Sequence, residues 1–398
     1  MLLIRNALSR GGELCVKEDI VCPKGEIKKE TDIPHLNERS ERVMRMEEQT
    51  KEIWNAYLKL IFWDLKLINR VKKLYQPRKK KKDSKEESKE KLTAEKLQKL
   101  VETYFPKTTK QLLSGDEVDN AFLLKLLVEK PQAKEMEALI VEKDDQKKAE
   151  KELVRETVQF AFNYEGLIGN TTTAPGFREL VKLLDVNVCP YCGRMFTSTV
   201  KKEDGDYIRA NQVDHYYPKA VYPFHGLSIW NWIPSCGPCN NRKSDDVKER
   251  FLYPYTESMG DAYRFTTHIQ SGVGYLVGKR GSEDEFALSL EPTEACLADS
   301  TKDFRARADY EVEKLGIQAL YSAHNSYVGD IFRQRYIFGD AYQDSLVASF
   351  PELFKSRGDV RALLYMKSIE AEDIGKAPLD KLTRDIDYEI DILNNSLL

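Results

Sequence analysis

The strongest constraint in this chain is a pair of Cys-x-x-Cys motifs, Cys189–Pro190–Tyr191–Cys192 and Cys236–Gly237–Pro238–Cys239, with residues 193 to 235 between them. Four thiolates presented by two such knuckles can close a tetrahedral zinc site that leaves no position for water. The competing reading is a pair of redox dithiols, which calls for a thioredoxin-like βαβ context that the flanking sequence lacks. A zinc staple pins the chain at both ends of the insert. The spacing exceeds that of a simple zinc ribbon, so the insert has room for more than metal binding.

The insert carries Asp214–His215 on a strand expected over 211–217, which Pro218–Lys219 ends. Asn231 follows in Ile229–Trp230–Asn231–Trp232–Ile233–Pro234. Asn240 comes directly after the last cysteine and opens a helical segment with Asn241, Arg242 and Lys243. A lone histidine is more often structural than catalytic, but a carboxylate, an imidazole and an amide oxygen together are the groups that metal-assisted phosphodiester chemistry uses. If zinc holds the strand and the returning segment together, Asp214 and Asn240 converge on one cation and His215 faces the attacking side. Lys219, Arg242 and Lys243 are placed to hold phosphates, although a solvated surface charge explains each of them equally well. Asn231 reads as a plain turn residue too.

The rest of the chain divides by composition. Residues 1–77 contain a long helix expected over 38–76, which Pro77 stops. Residues 78–92 form a charged linker that begins Arg78–Lys79–Lys80–Lys81–Lys82. This run can contact phosphates, dock a partner or simply be solvated. Residues 93–185 read as helical, with Thr93 as an N-cap and a last helix over 176–184. The knuckles and their insert fill 186–250. A small β extension over 251–295 has strands expected at 263–269, 274–277 and 286–290, and 296–398 returns to helical period, ending in an amphipathic helix over 378–392. The fold class expected is α+β.

The formal net charge of -3 provides no global field for a polyanion, so a nucleic-acid site has to be a local patch. Seven cysteines in 398 residues are too sparse for a disulfide scaffold. Cys15, Cys22 and Cys296 read as reduced thiols of a cytoplasmic protein. Arg5 and Arg10 interrupt the short apolar start, so no signal peptide is expected, and the most apolar stretch, 58–68, is too short and too charged to span a membrane.

The region from Cys189 to Asp245 resembles an HNH endonuclease of the ββα-metal class in its zinc-stapled form. The resemblance runs through Cys-x-x-Cys, Asp-His-x-x-Pro-Lys, Trp-Asn-x-Ile-Pro and Cys-x-x-Cys-Asn-x-x-Lys, in that order. It implies an HNH core embedded between mainly α-helical N- and C-terminal regions. It implies His215 as the general base, Asp214 and Asn240 as ligands of a catalytic Mg²⁺ or Mn²⁺, and Asn231 as the asparagine that fixes the loop around the base. Cys189, Cys192, Cys236 and Cys239 then hold structural Zn²⁺. The third signature position is usually histidine and here is Asn240, as in the HNH domain of the RNA-guided CRISPR nuclease; an amide oxygen suits a hard cation better. The expected activity is hydrolysis of DNA phosphodiester bonds. A wider likeness to the nuclease subunit of Septu-type anti-phage systems implies a bacterial defence role beside an ATPase partner. Two alternatives stay open: an HNH-fold ribonuclease, for example one that cleaves transfer RNA in an abortive response, and a zinc-stapled nucleic-acid-binding module without catalysis.

Overall fold

The computed structural model describes residues 175–398 apart from 246–247, 299–301 and 397–398, together with most of 51–60, residues 164–169 and scattered positions between 148 and 162. The helix expected over 38–76 is described only between 51 and 60. There Ile53, Tyr57 and Leu60 are fully buried, at the three- and four-residue steps of one helix face. The Arg78–Lys82 run, the helix after Thr93, Cys15 and Cys22 lie outside the described residues.

The site-bearing segment starts with α1, Pro175–Leu183, which buries Phe177, Leu180 and Val181 on one face. A short antiparallel hairpin follows, β1 (Thr199–Lys201) with β2 (Tyr207–Arg209), in register Val200↔Ile208. Strand β3, Gln212–His215, pairs antiparallel with β4, Trp232–Ser235, so that Asp214 faces Ile233 and His215 faces Trp232 across the ladder. Helix α2, Gly237–Lys243, leaves β4 directly. Pro238 sits in its first turn, where a missing N–H costs nothing, and Arg242 and Lys243 sit in its last turn, where cations complement the exposed carbonyls.

Beyond the second knuckle, β5 (Tyr263–Ile269) and β6 (Phe286–Pro292) pair along their whole length. The segment 274–277, expected as a strand, is instead a 3₁₀ turn inside the connection between them. Its apolar residues bury Tyr275, and local bonds such as Gly278 N–H to the Tyr275 carbonyl (2.9 Å) satisfy the backbone without a ladder. Gly278 closes that turn at φ 67°, and a Cβ there would meet the Arg333 Cα at 2.6 Å. Helices α3 (Glu294–Ala298), α4 (Lys302–Leu315), α5 (Ile317–Ser322), α6 (Asn325–Ile337), α7 (Asp340–Ser349), α8 (Arg357–Tyr365) and α9 (Asp380–Ser396) complete the described chain. No described helix is long and apolar enough to cross a membrane.

One cluster of buried apolar residues runs from Ile53 through the cysteine knuckles to Ile390. The C-terminal helices grip the first knuckle by its backbone: the Tyr321 hydroxyl donates to the Cys192 carbonyl at 2.6 Å, and Leu379 N–H donates to the Gly193 carbonyl at 2.7 Å. Behind that grip lies a buried ion network. Asp387 accepts from Arg335 (3.1 Å), Arg361 (3.0 Å) and the Tyr365 hydroxyl (2.6 Å), with its carboxylate 6 % exposed. Removing the carboxylate takes one anion from two buried guanidinium groups and leaves them to share Asp391, 2.6 Å from Arg335 and 2.7 Å from Arg361. We expect Asp387→Ala to cost about 1–3 kcal/mol of stability in chemical denaturation; a loss well below about 1 kcal/mol would show that Asp391 alone satisfies both arginines.

Candidate active site

The four cysteine sulfurs of the two knuckles all lie within 4.8 Å of one another, and each residue is buried. Cys192 and Cys236 Sγ are 3.9 Å apart, and none of the four is in a disulfide. Sulfurs at tetrahedral positions around zinc, with Zn–S near 2.3 Å, stand roughly 3.8 Å apart. The donor set therefore fits Zn²⁺. The first knuckle turns through Gly193 at φ 61°, whose N–H donates to the Cys189 carbonyl at 2.9 Å. The second is the N-terminus of α2, with Cys236 as its cap residue.

Between the knuckles, β3 alternates its side chains. Asp214 points toward α2 and the first knuckle. Its Oδ2 accepts from the Tyr191 hydroxyl at 2.5 Å, and Lys243 Nζ lies 3.1 Å from Oδ1 and 3.0 Å from Oδ2. Lys243 Nζ also donates to the His215 carbonyl at 2.8 Å, and its side chain is only 6 % exposed. Lys243 is thus placed on Asp214, and not in solvent. One helical turn earlier, the Asn240 amide N–H donates to Gln212 Oε1 at 2.9 Å. Gln212–Asn240 and Asp214–Lys243 are successive rungs between β3 and α2, because residues two apart share a strand face and residues three apart share a helix face.

His215 points the other way. Its Nε2 lies 2.9 Å from the Gly226 carbonyl, which also accepts from Trp232 Nε1 at 2.8 Å. A carbonyl can only accept, so Nε2 carries the proton and Nδ1 the lone pair of the neutral ring. Burial pushes the imidazole down to about 3; the Gly226 bond opposes this, while the charges of Lys219 and Lys243 add to it. The Tyr164 ring meets His215 edge-on at a centroid distance of 4.5 Å.

Asn231 is fully buried and bonds the loop backbone three ways. Its Oδ1 accepts from Tyr217 N–H at 2.7 Å, and its Nδ2 donates to the carbonyls of Tyr217 (3.0 Å) and His225 (3.1 Å). The 3₁₀ segment Pro223–Leu227, which presents the Gly226 carbonyl, is held by this clamp and by the Tyr57 hydroxyl on the Leu227 carbonyl at 2.8 Å. Arg242 reaches the Leu315 carbonyl at 2.6 Å, and Lys219 pairs with Glu165 at 3.2 Å. Glu311 lies behind this region; burial pushes its carboxyl up to about 8, and it accepts from Leu252 N–H at 3.0 Å.

The second metal has a less closed fit. Asp214 and Asn240 offer a carboxylate and an amide oxygen on one strand–helix face, the hard donors that suit Mg²⁺ or Mn²⁺. The Asn240 amide nitrogen is spent on Gln212, which leaves Oδ1 as the group to offer a cation. Asp214 already holds a positive charge, the Lys243 ammonium. The chemistry of the donor set fits a divalent ion, which would enter in competition with that ammonium.

A family model described as HNH endonuclease matches residues 189–246. The segment from the first knuckle to the end of α2 is therefore an HNH endonuclease domain with four cysteines clustered for metal binding, carried in a longer chain. That class of domain points to a nuclease acting on nucleic acid. No curated protein and no solved structure matches the chain.

Sequence reasoning missed the Tyr191 hydroxyl on Asp214, although Tyr191 lies inside the knuckle it singled out. It also missed Tyr164, and the Gly226 carbonyl, which as a backbone group leaves no trace in side-chain pattern. The cysteine cluster yields a direct test. Cys189→Ser or Cys239→Ser should release zinc and unfold the knuckles together, because structural zinc contributes folding free energy directly. Elemental analysis of the native protein should find about one Zn per chain. A folded, zinc-free preparation would contradict the staple.

Proposed function

We propose that this chain is a metal-dependent HNH endonuclease that hydrolyses DNA phosphodiester bonds. The observation that carries the reading is the hydrogen bond that fixes the His215 tautomer inside an HNH domain, on the strand whose other face carries Asp214. With Nε2–H held by the Gly226 carbonyl, neutral His215 has Nδ1 available to take a proton from an attacking water. The same carbonyl orients the ring and stabilises the imidazolium that forms. Asn231 keeps the Gly226 loop and Tyr217 in register, and so keeps His215 where it is. Asp214 and Asn240 would hold a divalent cation, which supplies charge stabilisation at the phosphate and the leaving oxygen when bound. Lys219, whose surface pair with Glu165 is easily exchanged, and the exposed end of α2 at Arg242 would meet phosphates. Lys243 would join them when a metal replaces it on Asp214.

The finer reading, a cytoplasmic nuclease subunit of a Septu-type defence system working with an ATPase partner, is supported by the sequence motifs alone: the Pro-Tyr-Cys-Gly knuckle, His-Tyr-Tyr-Pro-Lys and the Ser-Cys-x-x-Cys-Asn-x-x-Lys ending. RNA as substrate would use the same residues. One observation favours a different reading, a zinc-stapled binding module without catalysis: the ammonium on Asp214 already neutralises the carboxylate that a divalent ion needs.

Nicking of supercoiled plasmid in Mg²⁺ or Mn²⁺ separates these. We expect His215→Ala to lose about 10²–10⁴-fold in cleavage rate while keeping its zinc and its fold. Cleavage at the wild-type rate by that variant would remove His215 from the reaction.

A further inference from the structure

The face of β3 that carries His215 holds charges that the assignment above leaves without a joint role. His215 meets the Tyr164 ring at 4.5 Å, and Tyr164 in turn packs edge-on against Phe177 of α1 at 5.9 Å. Two cations flank this row of rings. Lys219 Nζ lies 5.9 Å from the Tyr164 centroid, and the Arg209 guanidinium lies 5.5 Å from the Phe177 centroid. Lys219 thus borders the Tyr164 end of the row, beside His215, and Arg209 borders the Phe177 end.

Neither cation is held by a buried carboxylate among the described residues. Arg209, at the end of β2, is exposed and takes part in no ion pair among the described residues. Lys219 pairs with Glu165, but that carboxylate side chain is 77 % exposed, and a surface pair of this kind is weak and screened by salt. Arg209 stands above an aromatic ring, which supports the flat guanidinium, and its fork of donors matches phosphate oxygens. Tyr164 comes from the segment ahead of the HNH domain, so the row is built from both sides of that boundary.

We propose that Arg209 and Lys219 form a two-cation clamp for the phosphodiester backbone on the His215 face, with Tyr164 as the residue that positions His215 beside it. This rests on the nuclease reading above and adds to it a phosphate contact separate from the Asp214–Lys243 face. It also answers how a chain of net charge -3 holds a polyanion: through a local pair of cations on an aromatic support.

The test is the salt dependence of binding to a short labelled DNA duplex, read by fluorescence anisotropy without added Mg²⁺ or Mn²⁺, with an RNA duplex of the same sequence as a second arm. Each phosphate contact contributes about 0.9 to the slope of log affinity against log salt. Arg209→Gln and Lys219→Gln should each reduce the slope on DNA by about that amount, and Arg209→Lys should restore it. Tyr164→Ala should leave the slope unchanged and lower the cleavage rate at saturating DNA. Arg209→Gln with the wild-type slope, in a protein that still cleaves DNA, overturns the clamp and leaves the nuclease reading standing. A slope that falls on RNA alone overturns DNA as the clamped polymer. A wild-type protein that neither binds nor cleaves either polymer overturns both proposals.

Discussion

Everything at the candidate site depends on the close packing of four cysteine sulfurs. Cys189 and Cys192 begin the HNH domain, Cys236 caps α2 just after β4, Cys239 lies in the first turn of α2, and their sulfurs share a space 4.8 Å across. That joins two stretches of chain 44 residues apart at Cys192 and Cys236. Once they are joined, β3 has to pair with β4, and α2 has to lie across β3. The rungs Gln212–Asn240 and Asp214–Lys243 follow from this geometry and not from any local preference. The knuckle is in turn held from outside, by Tyr321 and by the Leu379 backbone. The C-terminal helices thus act on the site through the staple.

The two faces of β3 divide the chemistry. One face gathers charge in a dry space: Asp214, Lys243 and the Tyr191 hydroxyl, each buried and each bonded, with Glu311 behind them pushed toward its neutral form. Burial of that kind is tolerated because every charge has a partner; a lone carboxylate there would be costly. The other face holds a neutral imidazole among Tyr164, Trp232 and the Gly226 carbonyl. A charged base would be disfavoured there, and the site keeps a neutral one by desolvation.

Much of this was legible in the sequence, and the reasons differ by residue. Cysteine pairs announce themselves because few other functions need that spacing. The β5 strand is expected at 263–269, the range it adopts, because a short β-prone run there is set off by Gly- and charge-rich turns. The Lys243 pairing was not read: Lys243 was expected on phosphates or in solvent, yet a helix that puts Asn240 over β3 puts Lys243, three residues on, there too. The β1–β2 hairpin was not legible, since three-residue strands are shorter than any period-two pattern. Helices α7 and α8 fall in the stretch 296–398 expected to be helical, but their separate bounds were not legible. Their interior positions hold Gln343 and Arg361, polar side chains buried by the Asp387 network, so the apolar stripe is broken. The 274–277 turn was misread because apolar residues between glycines look alike in a strand and in a buried turn.

The account stands or falls on whether this fold cleaves phosphodiester bonds with a hard metal. The most direct measurement is cleavage of supercoiled plasmid and of total RNA by the purified zinc-loaded wild-type chain across a Mg²⁺ and Mn²⁺ titration, with metal-free buffer as reference. The account predicts nicked or linear DNA that appears only with the added divalent ion, while the zinc content stays constant. Intact DNA and intact RNA at every Mg²⁺ and Mn²⁺ concentration, from a folded zinc-bound protein, would contradict it and leave a binding module held together by its cysteines.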